Sequence, residues 1–282
     1  MKPAAFDYFR PDSVDAAVAA LAASGGEAKL LAGGQSLVPL LNFRMARPRL
    51  LIDINRLAAL DFVAEDGAGG LRIGAVTRHR TLETAEPVRR LFPVVAAAMR
   101  HVAHLAIRNR GTLGGSLAHA DPAAELPLLA VLLDAELHSN RGRHAAAGFF
   151  LGPLTTALGD DELLTEIALP ALPPHTGWGF EEFALRRGDF AFAAVAALLT
   201  VADGRIAAAR LAAGGVGEVP QRLGEIEASL VGAGREALAA AARRAAALVE
   251  PASDLRASAE YRRHLVGVLA ERALNAAWVR AQ

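Results

Sequence analysis

Two glycine pairs carry the chemistry most legible in this chain, one in Ala32-Gly33-Gly34-Gln35-Ser36 and one in Thr112-Leu113-Gly114-Gly115-Ser116. That chemistry is anion capture. Glycine tolerates positive φ and lets a ligand approach the main chain, so successive N–H groups can point into one concavity. Two such segments suit the two phosphates of a dinucleotide, and the hydroxyls of Ser36, Thr112 and Ser116 add donors. Neither segment fits G-x-G-x-x-G or the P-loop pattern, which argues against the usual nucleotide folds.

Other candidates are weaker. His101 and His104 stand three apart with His119 further on, but no nearby carboxylate completes a zinc set. Ser36 and Ser116 lack the strained elbow of a catalytic nucleophile. The 282 residues include no cysteine, which excludes disulfides, thiolate nucleophiles and cysteine-ligated iron–sulfur clusters within this polypeptide. Electrons crossing it need an organic carrier. Thirty basic residues balance thirty acidic ones, so no global field attracts nucleic acid or an anionic membrane. No apolar run reaches the roughly 18 residues of a membrane span, and the first residues do not read as a secretion signal. A cytoplasmic protein is expected.

The elements that position the glycines follow from periodicity. Ser13 caps a helix through Leu21 that Gly25-Gly26 ends, and Lys29 to Leu31 reads as a strand entering the first glycine segment. Ser36 is expected to cap a short helix containing Leu37 and Pro39. Strands are expected over Leu50 to Ile54 and Leu71 to Ala75, and helices over Thr81 to Ala85 and Val88 to Val102. Asp121 reads as an N-cap with Pro122 at the first helical position, which predicts a helix from Pro122 to about Leu133. A hairpin around Asn140-Arg141-Gly142 and a strand over Leu163 to Leu169 follow, and Pro170 to Gly179 reads as a linker. Beyond it come strands over Phe180 to Leu185, Phe192 to Val201 and Arg205 to Leu211, then three helices. The division falls near residue 177, with an α+β nucleotide-binding part before it and a smaller sheet-plus-helices domain after it.

These residues resemble a known family. On Phe6 to Pro11, Ala32 to Ser36, Ile107 to Ser116, Ala118 to Glu125 and Arg186-Arg187-Gly188-Asp189, the chain is similar to the FAD-binding medium subunit of the molybdenum hydroxylases, the carbon monoxide dehydrogenase and xanthine dehydrogenase type. The resemblance implies a two-part, PCMH-like FAD-binding domain over residues 1–177, with subdomains of about 1–55 and 56–177, and a C-terminal domain of antiparallel sheet plus three helices over 178–282. It implies noncovalent FAD held by Ala32, Gly33, Gly34, Gln35, Ser36 and Leu37 on one side and by Thr112, Gly114, Gly115 and Ser116 on the other. Asp121 would accept hydrogen bonds from sugar hydroxyls, and Leu164 would pack against a ring. Arg186, Arg187 and Asp189 would lie near the flavin and tune it. Arg108 and Arg110 would face phosphates or a partner.

The resemblance further implies a small [2Fe–2S] subunit and a large molybdenum-cofactor subunit as partners, in a dimer of heterotrimers, with electrons passing from the clusters through FAD to an external acceptor. The competing reading is a self-sufficient FAD-dependent oxidoreductase with its own small organic substrate.

Overall fold

The computed structural model describes residues 2–282. A small parallel sheet begins the chain: β1 (Asp7–Phe9), β2 (Ala28–Leu31) and β3 (Leu50–Asp53), in the order β1-β3-β2, with α1 (Val14–Ala23) and α2 (Leu37–Asn42) between strands. Ser13 Oγ accepts the Ala16 N–H at 3.1 Å, and Gly25 and Gly26 end the helix at φ +59° and +88°. Ala17 and Leu21, four apart, are buried against Ile52.

A five-stranded antiparallel sheet follows, ordered β4-β5-β10-β6-β7. Its strands are β4 (Val63–Glu65), β5 (Leu71–Gly74), β6 (Glu136–Ser139), β7 (Arg143–Ala145) and, after the small hairpin β8 (Phe150–Gly152) and β9 (Thr155–Thr156), β10 (Leu164–Leu169). Six helices are inserted after β5: α3 (His79–Thr84), α4 (Glu86–Leu91), α5 (Pro93–Ala98), α6 (Leu105–Arg108), α7 (Leu113–His119) and α8 (Glu125–Leu132). A short α9 (Ala146–Phe149) follows β7. The single helix expected from Val88 to Val102 is two, because Pro93 has no N–H to continue α4 and instead opens α5. The helix expected from Pro122 starts only at Glu125. Ala120 turns left-handed at φ 52°, and the Pro122 carbonyl accepts the Gly215 N–H at 2.8 Å, so residues 121–124 form a tethered turn.

The last sheet, β11 (Thr176–Phe183), β12 (Ala193–Ala202), β13 (Arg205–Gly214) and β14 (Gln221–Arg222), is an antiparallel meander. It is covered by α10 (Gly224–Leu230), α11 (Leu238–Leu248) and α12 (Ala259–Arg280). The expected linker to Gly179 is shorter, since β11 already runs from Thr176 and residue 177 lies inside it. The two glycines that suggested a linker serve packing. A Cβ at Gly177 would stand 1.9 Å from Ala277 O and one at Gly179 2.0 Å from Ala273 O, so strand and helix touch main chain to main chain.

Strand β12 is buried on both faces. Ala194, Ala196 and Leu198 join the core of the five-stranded unit, while Ala193, Val195, Ala197 and Leu199 join the core under α11 and α12. Each buried Val or Leu there contributes about 1.5–3 kcal/mol, which makes the junction part of the core.

Candidate functional site

Strand β2 delivers the chain into the first glycine segment, and a polar frame holds it. Asn55 Nδ2 donates to the carbonyls of Leu31, at 3.2 Å, and of Ala32. Asn55 Oδ1 accepts from Arg78 Nη2 at 3.0 Å, and Arg78 Nη1 donates to the Arg110 carbonyl. One asparagine and one arginine thus clamp the two segments together. The second segment is pinned from below: the His79 N–H donates to Gly111 O at 2.9 Å, Leu113 N–H to Thr77 O at 2.9 Å and Gly114 N–H to Ala75 O at 2.8 Å. His79 Nε2–H donates to Thr112 O at 3.0 Å. Burial pulls the His79 pKa down to about 4, so the ring is neutral and holds the tautomer this bond requires.

The segments meet directly. A Cβ on Gly33 would stand 2.4 Å from Arg110 O and 2.8 Å from Gly111 Cα, and one on Gly115 would stand 3.6 Å from the Ala32 methyl. The two segments therefore pack main chain against main chain, with Gly34 at φ +73° supplying the left-handed turn.

The donors differ between the two sides. Among the described residues, the main-chain N–H groups of Gly33, Gly34, Gln35 and Ser36 donate to no protein acceptor. Gln35 folds its side chain back, Nε2 donating to Gly33 O at 2.8 Å. Ser36 stands at the N-cap position of α2 but makes no side-chain capping bond, so its hydroxyl is available as well. On the other side the N–H groups of Gly114, Gly115 and Ser116 are all engaged, by Ala75 O, by Thr112 Oγ1 at 3.2 Å and by Thr112 O at 3.0 Å. Gly114 is glycine for another reason: its Cβ would stand 2.7 Å from the Ala75 methyl. This side offers the hydroxyl of Ser116 and the N-terminus of α7, which the buried Thr112 hydroxyl caps. Four free amides and two hydroxyls, those of Ser36 and Ser116, fit a diphosphate.

Asp121 does not cap a helix. Its Oδ1 accepts the Ala123 N–H at 2.9 Å within the tethered turn, which leaves Oδ2 for a ligand hydroxyl. Leu164 is 5% exposed and packed in the core of the five-stranded unit, and Leu37 opens α2. Arg108 is not a phosphate or partner contact: it is buried, pairs with Glu83 at 3.0 Å and donates to Val102 O and Ala103 O. Arg110 contributes its carbonyl to the clamp. Arg186 and Arg187, with Gly188, line a cavity of about 360 Å³ together with Arg100, His101 and Glu182, while Asp189 closes the turn by donating its N–H to Arg186 O at 3.1 Å. Gly188 lies at φ +86° against Ala103 O, so this turn is seated on the chain segment that leads into the second glycine segment.

Asn55, Arg78 and His79 were invisible as site residues in the sequence, because each acts on chain remote from it and none sits in a recognisable spacing. Glu125 lay in a quoted motif without an assigned role, and Glu182 carried no signal at all.

Residues 4–172 match the family model described as the FAD binding domain in molybdopterin dehydrogenase, and residues 178–277 match the CO dehydrogenase flavoprotein C-terminal domain. The chain is 40% identical to the 6-hydroxypseudooxynicotine dehydrogenase complex subunit alpha of Paenarthrobacter nicotinovorans, across 100% of this chain and 97% of that one. It is 39% identical to the carbon monoxide dehydrogenase medium chain of Hydrogenophaga pseudoflava, across 99% of each. The structure of the carbon monoxide dehydrogenase from that organism superposes with a TM-score of 0.95 at 40% identity, covering 99% of both chains. Quinoline 2-oxidoreductase from Pseudomonas putida 86 superposes with a TM-score of 0.94 at 37% identity, covering 100% of both.

Proposed function

Because this chain belongs to the FAD-binding medium subunits of the molybdenum hydroxylases, we propose that it relays electrons from iron–sulfur clusters of a small partner subunit to an external acceptor, while a large partner subunit holding the molybdenum cofactor oxidises the substrate. The observation that supports this most is the contact between the two glycine segments together with the unpaired amides of residues 33–36. Residues up to 177 hold FAD in this reading, 178–282 complete the pocket, and the assembly is a cytoplasmic dimer of heterotrimers.

Bound FAD supplies two-electron storage that can be filled and emptied one electron at a time. The protein's part is to bind and orient. The amides of Gly33, Gly34, Gln35 and Ser36 and the hydroxyls of Ser36 and Ser116 hold the diphosphate, with Ala32 and Leu37 flanking and Thr112 capping α7 beneath it. Asp121 Oδ2 accepts from a sugar hydroxyl. Arg186 and Arg187 place positive charge where the reduced ring gains negative charge, which raises its potential, and Asp189 keeps their turn closed. No covalent link is needed, since neither glycine segment carries cysteine or histidine.

Purification from its native host provides the test. The expected result is a yellow chain that copurifies with iron–sulfur and molybdenum subunits, and that shows little substrate oxidation once separated from them. Steady turnover of a small organic substrate by the isolated chain would overturn the proposal in favour of a self-sufficient flavoenzyme.

A further inference from the structure

Side chains alternate across β11. Gly177 and Gly179 face α12, whereas Trp178 and Phe180 face the core shared with the five-stranded unit, and Glu182 follows them in the same register. A carboxyl group thus stands where an apolar side chain is expected. Its side chain is 3% exposed, and Oε2 has no hydrogen-bond partner among the described residues. The nearest base, His101 Nδ1, lies 3.9 Å from Oε1, beyond hydrogen-bond reach.

The surroundings keep a proton on it. Burial raises the Glu182 pKa and the nearby Glu125 carboxyl raises it further; Glu125 is itself raised by burial and by Asp121. His101 is held neutral by burial and by Arg187, so it offers no compensating charge. Across the strand pair Glu182 meets only Ala194, and α12 lies on the opposite face of the sheet. The remaining charged groups are Arg100, Arg186 and Arg187, which with His101 and Glu182 line the cavity of about 360 Å³.

We propose that Glu182 is the proton donor and acceptor for the redox ring of the cofactor in the cavity lined by Arg100, His101, Arg186 and Arg187; this rests on the flavin-binding reading above. When two electrons arrive from the partner's iron–sulfur donors, Glu182 gives up its proton, its O–H bond breaking as an N–H bond forms on the ring. One net negative charge is left on the ring for Arg186 and Arg187 to offset. When the two electrons leave to the external acceptor, that N–H bond breaks and Glu182 takes the proton back.

The test uses the full chain, with and without FAD, as wild type, Glu182→Gln and Glu125→Gln. In the FAD-free wild type, infrared spectroscopy is expected to show a protonated carboxyl stretch at neutral pH that Glu182→Gln loses. With FAD bound, an internal donor makes the stopped-flow rate of ring reduction independent of pH wherever Glu182 carries its proton. In Glu182→Gln the proton comes from water, and the rate falls as pH rises. Should Glu182→Gln fail to take up flavin, Glu125→Gln is read instead: it removes one of the charges that hold the proton on Glu182, so the pH-independent range ends at lower pH. The same pH dependence in wild type and variant, or no protonated carboxyl in the wild type, overturns the proposal. Absence of flavin binding by the wild type would instead refute the cofactor reading, while the infrared result would still report on Glu182.

Discussion

Gly33→Ala isolates the contact on which the cofactor site depends. The new Cβ would stand 2.4 Å from Arg110 O, 2.8 Å from Gly111 Cα and 3.0 Å from Arg110 C, all main-chain atoms. Reaching an ordinary contact of 3.4 Å requires the two segments to part by about 1 Å. No flexible side chain can absorb that displacement, so the strain of overpacking, about 1–3 kcal/mol, falls on the spacing of the clamp. If the ligand must draw the segments back together, the same energy is lost from binding, and FAD affinity should fall by about fivefold to a hundredfold. Flavin fluorescence quenching on titration into the FAD-free chain measures this, with thermal melting of the same protein recording what is lost from the fold. Gly148→Ala, with nothing within 4 Å of its Cβ, is the control. Wild-type affinity in Gly33→Ala would refute the argument that both segments grip one ligand at a fixed separation.

Three other outcomes are expected. Asn55→Ala orphans Arg78 Nη2 and the Ala32 carbonyl, while Leu31 O keeps the Ile54 N–H, and should cost about 1–3 kcal/mol in urea denaturation together with weaker FAD binding; an unchanged midpoint would show that the clamp is idle. His79 titrates at about 4 when folded against 6.5 unfolded, so between those values the unfolded chain binds more protons and stability falls as pH drops. At about 1.4 kcal/mol per pKa unit, His79→Gln should lose its disadvantage relative to wild type by about 3 kcal/mol between pH 7 and pH 4, and parallel stability curves would contradict this. Gly179→Ala drives a methyl to 2.0 Å from Ala273 O inside α12 and should lower stability by about 3 kcal/mol or more, read as a fall in melting temperature; normal melting would mean the strand and helix are not in main-chain contact.

Local signals carried the first helix, from Ser13 to Gly25, and the strand that enters the first glycine segment, because caps and period lie within a few residues of what they control. The readings that failed depend on contacts distant in sequence. Gly177 and Gly179 looked like linker glycines beside Pro173-Pro174, yet their function is set by Ala273 and Ala277 on the last helix. Asp121 and Pro122 satisfy every local rule for a helix start, and the bond from Gly215 N–H to Pro122 O decides otherwise. At the candidate site, glycine at 114 was legible as a place of close approach, but what approaches it is Ala75 of the same chain. Periodicity reports where side chains point and says little about which remote backbone fills the space they leave.

The same dependence on remote contacts constrains how the site can move. Domains joined by a small polar interface are expected to hinge, and the cavity beside Arg186 lies between the five-stranded unit and the final sheet. Here the strand behind that seam is buried on both faces, with Leu198 packed one way and Leu199 the other, at 2% and 0% exposure. Opening the seam would expose several such side chains at about 1.5–3 kcal/mol each, a substantial part of the stability of a domain. The arginine turn at 186–189 and the glycine segments therefore hold one relative position. A fixed separation between the anion-binding amides and the arginines suits a subunit that positions one dinucleotide for electron exchange, because an electron relay loses rate whenever its carrier is misplaced.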